Sequence, residues 1–374
     1  MTERARTGDI PILGALSTTA RIAILAALGV SLVGIVLRFA LGADPTLLFI
    51  VSALGILGLA WVVGLSTERL GALTGPRVGG ILNATFGNIA ELIIAFFALQ
   101  AGLLEVVKAS LTGSIIGNLL LVLGGSVLVG GLRNGTQRFS QQIAGANAAL
   151  LVVAAIGLFV PAVFAASTGA PEGPVVEESV LVALLLIGGY ALSLVFQFTN
   201  PDQTLGGHEA AEGHGGPPWT ARTSVAVLLV SAALLAVLSE VLVGSIESFI
   251  STFHLSEFFV GVVLIPTIGN LAEHLVAIQL AYKNKMEFAM AVCYGSSLQV
   301  ALFVAPVLVL LGVAVGQPMN LVFQPLEIGA VGAAVGISAL IALDGESNWL
   351  EGALLTIVYV ILAVSFFEFG RPIV

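Results

Sequence analysis

Charge is scarce in this chain. Only 9% of its 374 residues are Asp, Glu, Lys or Arg, against about 25% in soluble domains. That shortage excludes a globular surface turned to water on all sides. One cysteine, Cys293, excludes a disulfide framework and a cysteine metal cluster. It stands in an apolar stretch and reads as a small packing residue. Alternating apolar and polar residues are missing from the hydrophobic segments, which argues against a β-barrel. The polar N-terminus, with Arg4 and Arg6, lacks the short apolar core and small-residue cleavage site of a secretory signal. The formal charge is −9, so no nucleic-acid partner is expected. Much of the surplus sits in loops and says little alone about a cationic partner.

Apolar runs fill the chain instead. The composition is 58% hydrophobic with a mean hydropathy of +1.08. About eleven stretches meet the ~20-residue requirement for crossing a bilayer: 22–41, 46–66, 78–101, 106–130, 141–165, 178–198, 223–244, 258–281, 287–311, 321–343 and 350–369. The expected fold is an all-α polytopic membrane protein with the lipid bilayer as its surroundings. With the N-terminus inside, the inner segments hold Arg4, Arg6, Arg21, Arg69, Arg77, Arg133, Arg138, Arg222, Lys283 and Lys285. The outer ends hold Arg38, Lys108 and Arg371. This bias predicts a cytoplasmic N-terminus and a C-terminus outside.

Two short stretches organise the spans. Gly87-Asn88-Ile89-Ala90-Glu91 is echoed by Gly269-Asn270-Leu271-Ala272-Glu273, at a constant offset of 182 residues (273 less 91, 269 less 87). Gly113-Ser114 and Gly295-Ser296 share that offset. Ser66-Thr67-Glu68 and Leu238-Ser239-Glu240 form a softer third match. The predicted organisation is an N-terminal tail and leading helix over 1–44, a five-helix repeat over 45–199, a cytoplasmic linker over 200–221, and a second repeat over 222–374. Five spans per half is an odd number, so the second half enters the membrane inverted. In secondary transporters of that design the ion site lies where the repeats meet, at the midplane. The linker carries Asp202, His208, Glu209, Glu212 and His214. It reads as a solvated segment, with a weak metal-sensing patch as the alternative.

A carboxylate at a membrane-helix centre costs roughly 2.5–3.5 kcal/mol, which makes Glu91 and Glu273 functional candidates by default. Each follows its Asn by three residues, so Asn and Glu share a helix face. Gly87 and Gly269 are expected to loosen their helices, and Pro266 adds an interruption in the second half. The freed carbonyls would line a cavity. The candidate metal ligands are therefore all oxygen: Glu91, Glu273, Asn88, Asn270 and the backbone at Gly87 and Gly269, with Ser114, Ser296 and Gln299 on the following spans. Such a set suits a hard cation, and Ca²⁺ takes 6–8 oxygens in flexible geometry where Mg²⁺ demands a tight octahedron. No His or Cys stands at the paired positions, which argues against zinc or copper. One divalent cation or two protons would neutralise the pair, so the two would exclude each other from one site. Accessory candidates are Glu68 and Glu240 near span ends, His274 as a proton relay or a packed neutral residue, Asn118, and Glu327 inside the tenth span.

These residues resemble a known family. Gly87-Asn88-x-x-Glu91-Leu92-Ile93, then Ser110-x-x-Gly113-Ser114-x-x-x-Asn118-Leu119-Leu120, is similar to the first repeat of the calcium/proton (cation/proton) antiporters, within the calcium/cation exchanger superfamily. Gly269-Asn270-x-Ala272-Glu273-His274, Lys283-Asn284-Lys285-Met286 and Gly295-Ser296-Ser297-x-Gln299 resemble the second repeat, and Asp344-Gly345-x-Ser347-Asn348-Trp349 the loop before the last span. The resemblance implies eleven spans, an acidic segment between halves, and exchange of Ca²⁺ for H⁺ at Glu91 and Glu273, without a resident cofactor. The first repeat departs from the second in having Gly117-Asn118 where the other has Gln299-Val300.

A sodium-coupled calcium exchanger shares the inverted-repeat logic, although the Lys-Asn-Lys-Met stretch favours the proton-coupled branch. A divalent cation channel is the alternative from another class, but paired carboxylates suit alternating access better than a pore ring. An enzyme is not expected, since no nucleophile–base pair or metalloprotease helix is present. The compact chain suggests a prokaryotic cytoplasmic (inner) membrane over a vacuolar one. Self-association into a homo-oligomer is left open.

Overall fold

The computed structural model describes residues 18–75, 78, 79, 82, 85–200 and 219–369. The N-terminal tail with Arg4 and Arg6, Arg77, the linker residues Asp202, His208, Glu209, Glu212 and His214, and Arg371 lie outside the described residues.

The first half, preceded by the leading helix α1 (Thr18–Phe39), runs α2 (Pro45–Thr74), α3 (Ile89–Gln100), α4 (Leu104–Ile116), a π-helical stretch Gly117–Val122, α5 (Leu123–Asn134), β1 (Gln137–Arg138), α6 (Gln141–Thr168) and α7 (Glu172–Thr199). The second runs α8 (Ala221–Val243), α9 (Ile246–Phe253), α10 (Glu257–Phe259), a π-helical stretch Val260–Leu264, α11 (Ile265–Tyr282), α12 (Met286–Gln299), a π-helical stretch Val300–Val304, α13 (Ala305–Val315), α14 (Pro325–Ile341), β2 (Glu346–Ser347) and α15 (Trp349–Glu368). Among the described residues, nine helices are long and apolar enough to cross a membrane. A helix is the natural element there, because it satisfies its backbone polar groups internally.

The expected third span is interrupted by a turn, and the tenth is shorter than its apolar run suggests. Gly87 and Asn88 form a turn, so the helix that carries Glu91 begins only at Ile89. In the tenth span the chain from Gln317 to Gln324 is irregular and the helix starts at Pro325, whose missing N–H costs nothing in a first turn. Glu327 therefore sits in the first turn of α14, at the start of that span and not midway along it. It forms a capping box with Gln324 there.

The repeat offset reappears in the architecture. Moving the continuous run Leu104–Asn134 by 182 residues gives 286–316, and the second half has Met286–Val315. The π-helical stretch Gly117–Val122 moves to 299–304, against Val300–Val304. These two runs are the most buried of the nine. Three glycines bring the backbones close. A Cβ at Gly113 would lie 2.0 Å from the Val262 carbonyl oxygen, and one at Gly261 would lie 2.6 Å from the Ala109 Cβ. At Gly124 it would lie 2.9 Å from the Leu355 Cβ.

Loops that an alternating path puts on one side do touch. At one face β1 pairs antiparallel with β2, Gln137 opposite Ser347 and Arg138 opposite Glu346. There Gln137 Nε2 also donates to the carbonyl of Ala281 and to Asn284 Oδ1, both at 2.9 Å. Asn284 adopts the left-handed region, φ 61°, at the turn between α11 and α12. At the other face Thr46 and Thr252 hydroxyls meet at 3.2 Å, and Lys108 reaches Asn320.

Candidate functional site

Four helices from the two halves deliver the site. Glu91 sits in the first turn of α3, with Asn88 as N-cap. Glu273 and Asn270 sit on α11, Ser114 on α4, and Ser296 and Gln299 on α12, while Asn118 opens the first π-helical stretch. Such insertions shift the helix register locally and recur at functional sites. Of the three among the described residues, two directly follow the helices that carry Ser114 and Ser296.

The hydrogen bonds run across the repeat interface. Glu91 Oε1 accepts from Ser114 Oγ and, at 2.5 Å, from Asn270 Nδ2. Asn88 Nδ2 donates to Gln299 Oε1 at 2.5 Å, and Asn88 Oδ1 accepts from Ser296 Oγ at 3.2 Å. Asn118 Nδ2 donates to Ser296 Oγ at 2.9 Å. Ser296 also lies within hydrogen-bonding reach of Glu273, and the two carboxylates feel each other's charge. Glu91 is 8% exposed. Glu273 is half-buried as a residue, yet its Oε2, like Glu91 Oε2, is sealed from solvent with no hydrogen-bond partner among the described residues. A buried carboxylate oxygen without a partner costs of order several kcal/mol, so the site is built to receive charge.

A cavity of about 10 Å³ borders Glu91, with Ser110, Ser114, Pro266 and Val300 among its lining. That is room for about one water. No group of three or more His, Cys, Asp or Glu placed to hold a metal ion occurs among the described residues. The donors are two carboxylates with amide and hydroxyl oxygens, a set for a hard cation rather than a soft metal.

Gly269 does not loosen its helix. It lies within α11, and the irregularity falls upstream at Val260–Leu264, with Pro266 in the first turn. Its need for a hydrogen side chain is steric, since a Cβ there would stand 2.9 Å from Glu91 Cγ. Gly87 does lie in a turn. Asn118 and Gln299 both join the network, but through different partners, as their unequal repeat positions suggest.

The accessory candidates separate. Glu68 is half-buried in α2. Glu240 is exposed and lines a cleft of about 440 Å³ with Arg38, Phe97, Gln100 and Ser245. His274 is buried but makes no hydrogen bond among the described residues. Glu327 belongs to a different polar cluster around Lys108. The short cross-half bonds and the buried Lys108 were not foreseen from the sequence. The π-helical stretches were not foreseen either, and no shared residue pattern in the sequence announces them.

A helical integral membrane protein whose related halves each place a buried carboxylate against the other has the design of a secondary exchanger. The comparisons agree with that class. The sodium/calcium exchanger protein family matches residues 45–199 and 223–367, and the chain belongs to that family. It is 46% identical over 350 residues to a Ca²⁺/H⁺ antiporter of Synechocystis sp., covering 87% of this chain and 92% of the other. Against the Ca²⁺/H⁺ antiporter ChaA of Bacillus subtilis it is 43% identical over 323 residues, covering 86% and 92%. The crystal structure of the selenium-substituted Ca²⁺/H⁺ antiporter YfkE is similar at a TM-score of 0.79 and 39% identity, over 94% of this chain and 99% of that one.

Proposed function

We propose that this protein is a secondary active antiporter that exchanges Ca²⁺ for H⁺ by alternating access at the Glu91/Glu273 pair. The observation that carries the reading is the pair itself: two sealed carboxylate oxygens, one from each half, without hydrogen-bond partners among the described residues. The relatives named as Ca²⁺/H⁺ antiporters support the choice of ions.

Glu91 and Glu273 hold the transported cation, and Asn88, Asn270, Ser114, Ser296 and Gln299 orient them and add oxygens. Ser114 and Asn270 fix Glu91 Oε1, which leaves Oε2 for the ion. When Ca²⁺ leaves, the carboxylates take protons, because two like charges in a medium of low dielectric repel. Only a neutralised pair then crosses between the two access states, which couples the fluxes. The chain carries no resident cofactor and catalyses no covalent chemistry.

The halves divide at 45–199 and 222–374, with 200–221 as the linker and 1–44 leading in. The positive-inside bias places the N-terminus in the cytoplasm and the C-terminus outside. The bacterial relatives support a prokaryotic cytoplasmic membrane.

The test is ⁴⁵Ca²⁺ uptake into acid-loaded proteoliposomes without Na⁺ or K⁺ gradients. Uptake that collapses when a protonophore dissipates the pH gradient is the expected result. Uptake that ignores pH and follows an imposed Na⁺ gradient would move the protein to sodium-coupled exchange. Flux that runs down the Ca²⁺ gradient with no counter-ion would make it a channel.

A further inference from the structure

Lys108 is 6% exposed and Glu327 1% exposed, and neither is needed by the exchange chemistry above. Burying charge in a membrane protein is costly unless every group is paired. Here they are. Lys108 Nζ donates to Asn320 Oδ1 at 2.8 Å and to the Val322 carbonyl at 3.1 Å, and lies 3.5 Å from Glu105. Glu327 Oε1 accepts from Thr112 Oγ1 at 2.7 Å, and its Oε2 accepts from the Gln324 backbone N–H at 2.8 Å. Gln324 Nε2 donates to Glu105 at 3.3 Å, which closes the circuit. The network joins α4 of the first half to the start of α14 in the second.

The placement on α4 is informative. Lys108 and Thr112 are four residues apart and share one face. Ser110 and Ser114 are also four apart, and two positions along an α-helix is a turn of about 200°, so they face the opposite way. That opposite face lines the cavity at Glu91, and Ser114 donates to its carboxylate. A third face is pinned by Gly113 against Val262. The network is not a repeat feature. The position 182 on from Lys108 is Met290, and the one 182 before Glu327 is Gly145.

We propose that Lys108 and Glu327 are positioning residues for the exchange site: Glu327 through Thr112, and Lys108 through Asn320 and Val322, brace the back of α4, so that its front holds Ser114 on Glu91. This rests on the reading that Glu91 binds the transported cation. Partners that orient a ligating group typically cost 10–100-fold in metal affinity when lost, which sets the expected size.

The experiment is equilibrium ⁴⁵Ca²⁺ binding to the purified full chain, with thermal unfolding measured alongside. Thr112→Val removes one hydrogen bond at nearly constant shape. The double variant Lys108→Met/Glu327→Gln removes both charges and strands neither. Each is expected to raise the Ca²⁺ Kd by about 10–100-fold while the protein still unfolds cooperatively. Combined with Ser114→Ala, either should add little to the loss that Ser114→Ala causes alone, because all act through one contact. A Kd within twofold of wild type, or losses that multiply in the combination, would overturn the proposal. A purely structural brace would lower thermal stability and leave Kd in place, which also overturns it. Wild-type protein that binds Ca²⁺ but moves none would sink the antiport reading and leave this comparison intact. Wild-type protein that binds no Ca²⁺ would sink both.

Discussion

Gly269→Ala separates the demands of folding from those of the site. Gly269 lies in the interior of α11, where Ala is favoured over Gly by about 0.8–1 kcal/mol. On helix propensity alone the variant is more stable than the parent. The added Cβ, however, stands 2.9 Å from Glu91 Cγ, whereas carbon atoms rest at about 3.5–4.0 Å. Either α3 or the Glu91 side chain must yield by roughly 0.6–1 Å. Glu91 is the softer of the two, but its Oε1 is held by Ser114 and Asn270, so the shift breaks at least one of those bonds. A neutral-to-charged hydrogen bond is worth about 1.5–3 kcal/mol, so Ca²⁺ affinity should fall by about 10–150-fold. Thermal unfolding read by intrinsic fluorescence and KM read by ⁴⁵Ca²⁺ uptake measure the two sides. Unchanged or raised stability with a raised KM is the expected pair of results. A KM equal to that of wild type would refute the claim that Gly269 is small for the sake of Glu91.

Other variants probe other parts of the account. Glu91→Gln and Glu273→Gln should each reduce exchange by at least about 100-fold in vesicle uptake while the protein stays folded, because one remaining charge can match neither one Ca²⁺ nor two protons. Gly113→Ala, with its Cβ 2.0 Å from the Val262 carbonyl, should destabilise by about 1–3 kcal/mol in a denaturation series, whereas Gly145→Ala, which meets nothing within 4 Å, should be neutral or slightly stabilising. Arg138→Ala removes an ion pair of 2.9 Å whose side chains are largely exposed, so it should change stability by less than about 1 kcal/mol.

Much of the candidate site was legible because the duplication wrote it twice. A single Glu in an apolar run is ambiguous, but Glu91 and Glu273 with the same Gly-Asn prelude at one offset are not. The spans were legible for the same reason that helices form there: long apolar runs must satisfy their own backbone. The breaks were harder to place. Gly87 marked the break before α3, but apolar content does not distinguish a helix from an irregular apolar segment, so the late start of α14 appears only once Pro325 acts on the backbone. Gly269 looked like a helix breaker, because sequence shows a missing side chain but not the neighbour that forbids one. Lys108 and Glu327 were harder still. They are 219 residues apart (327 less 108), and nothing local in either stretch announces a shared network.

The central claim is that Ca²⁺ and protons compete for one pair of carboxylates. Its most direct test is proton release from the purified protein in weak buffer, followed with a pH dye as Ca²⁺ is added. Release on Ca²⁺ binding is predicted, larger at lower pH within the range where the protein stays folded, and absent in the Glu91→Gln/Glu273→Gln variant. Ca²⁺ that binds with full affinity and displaces no protons at any pH would contradict the account.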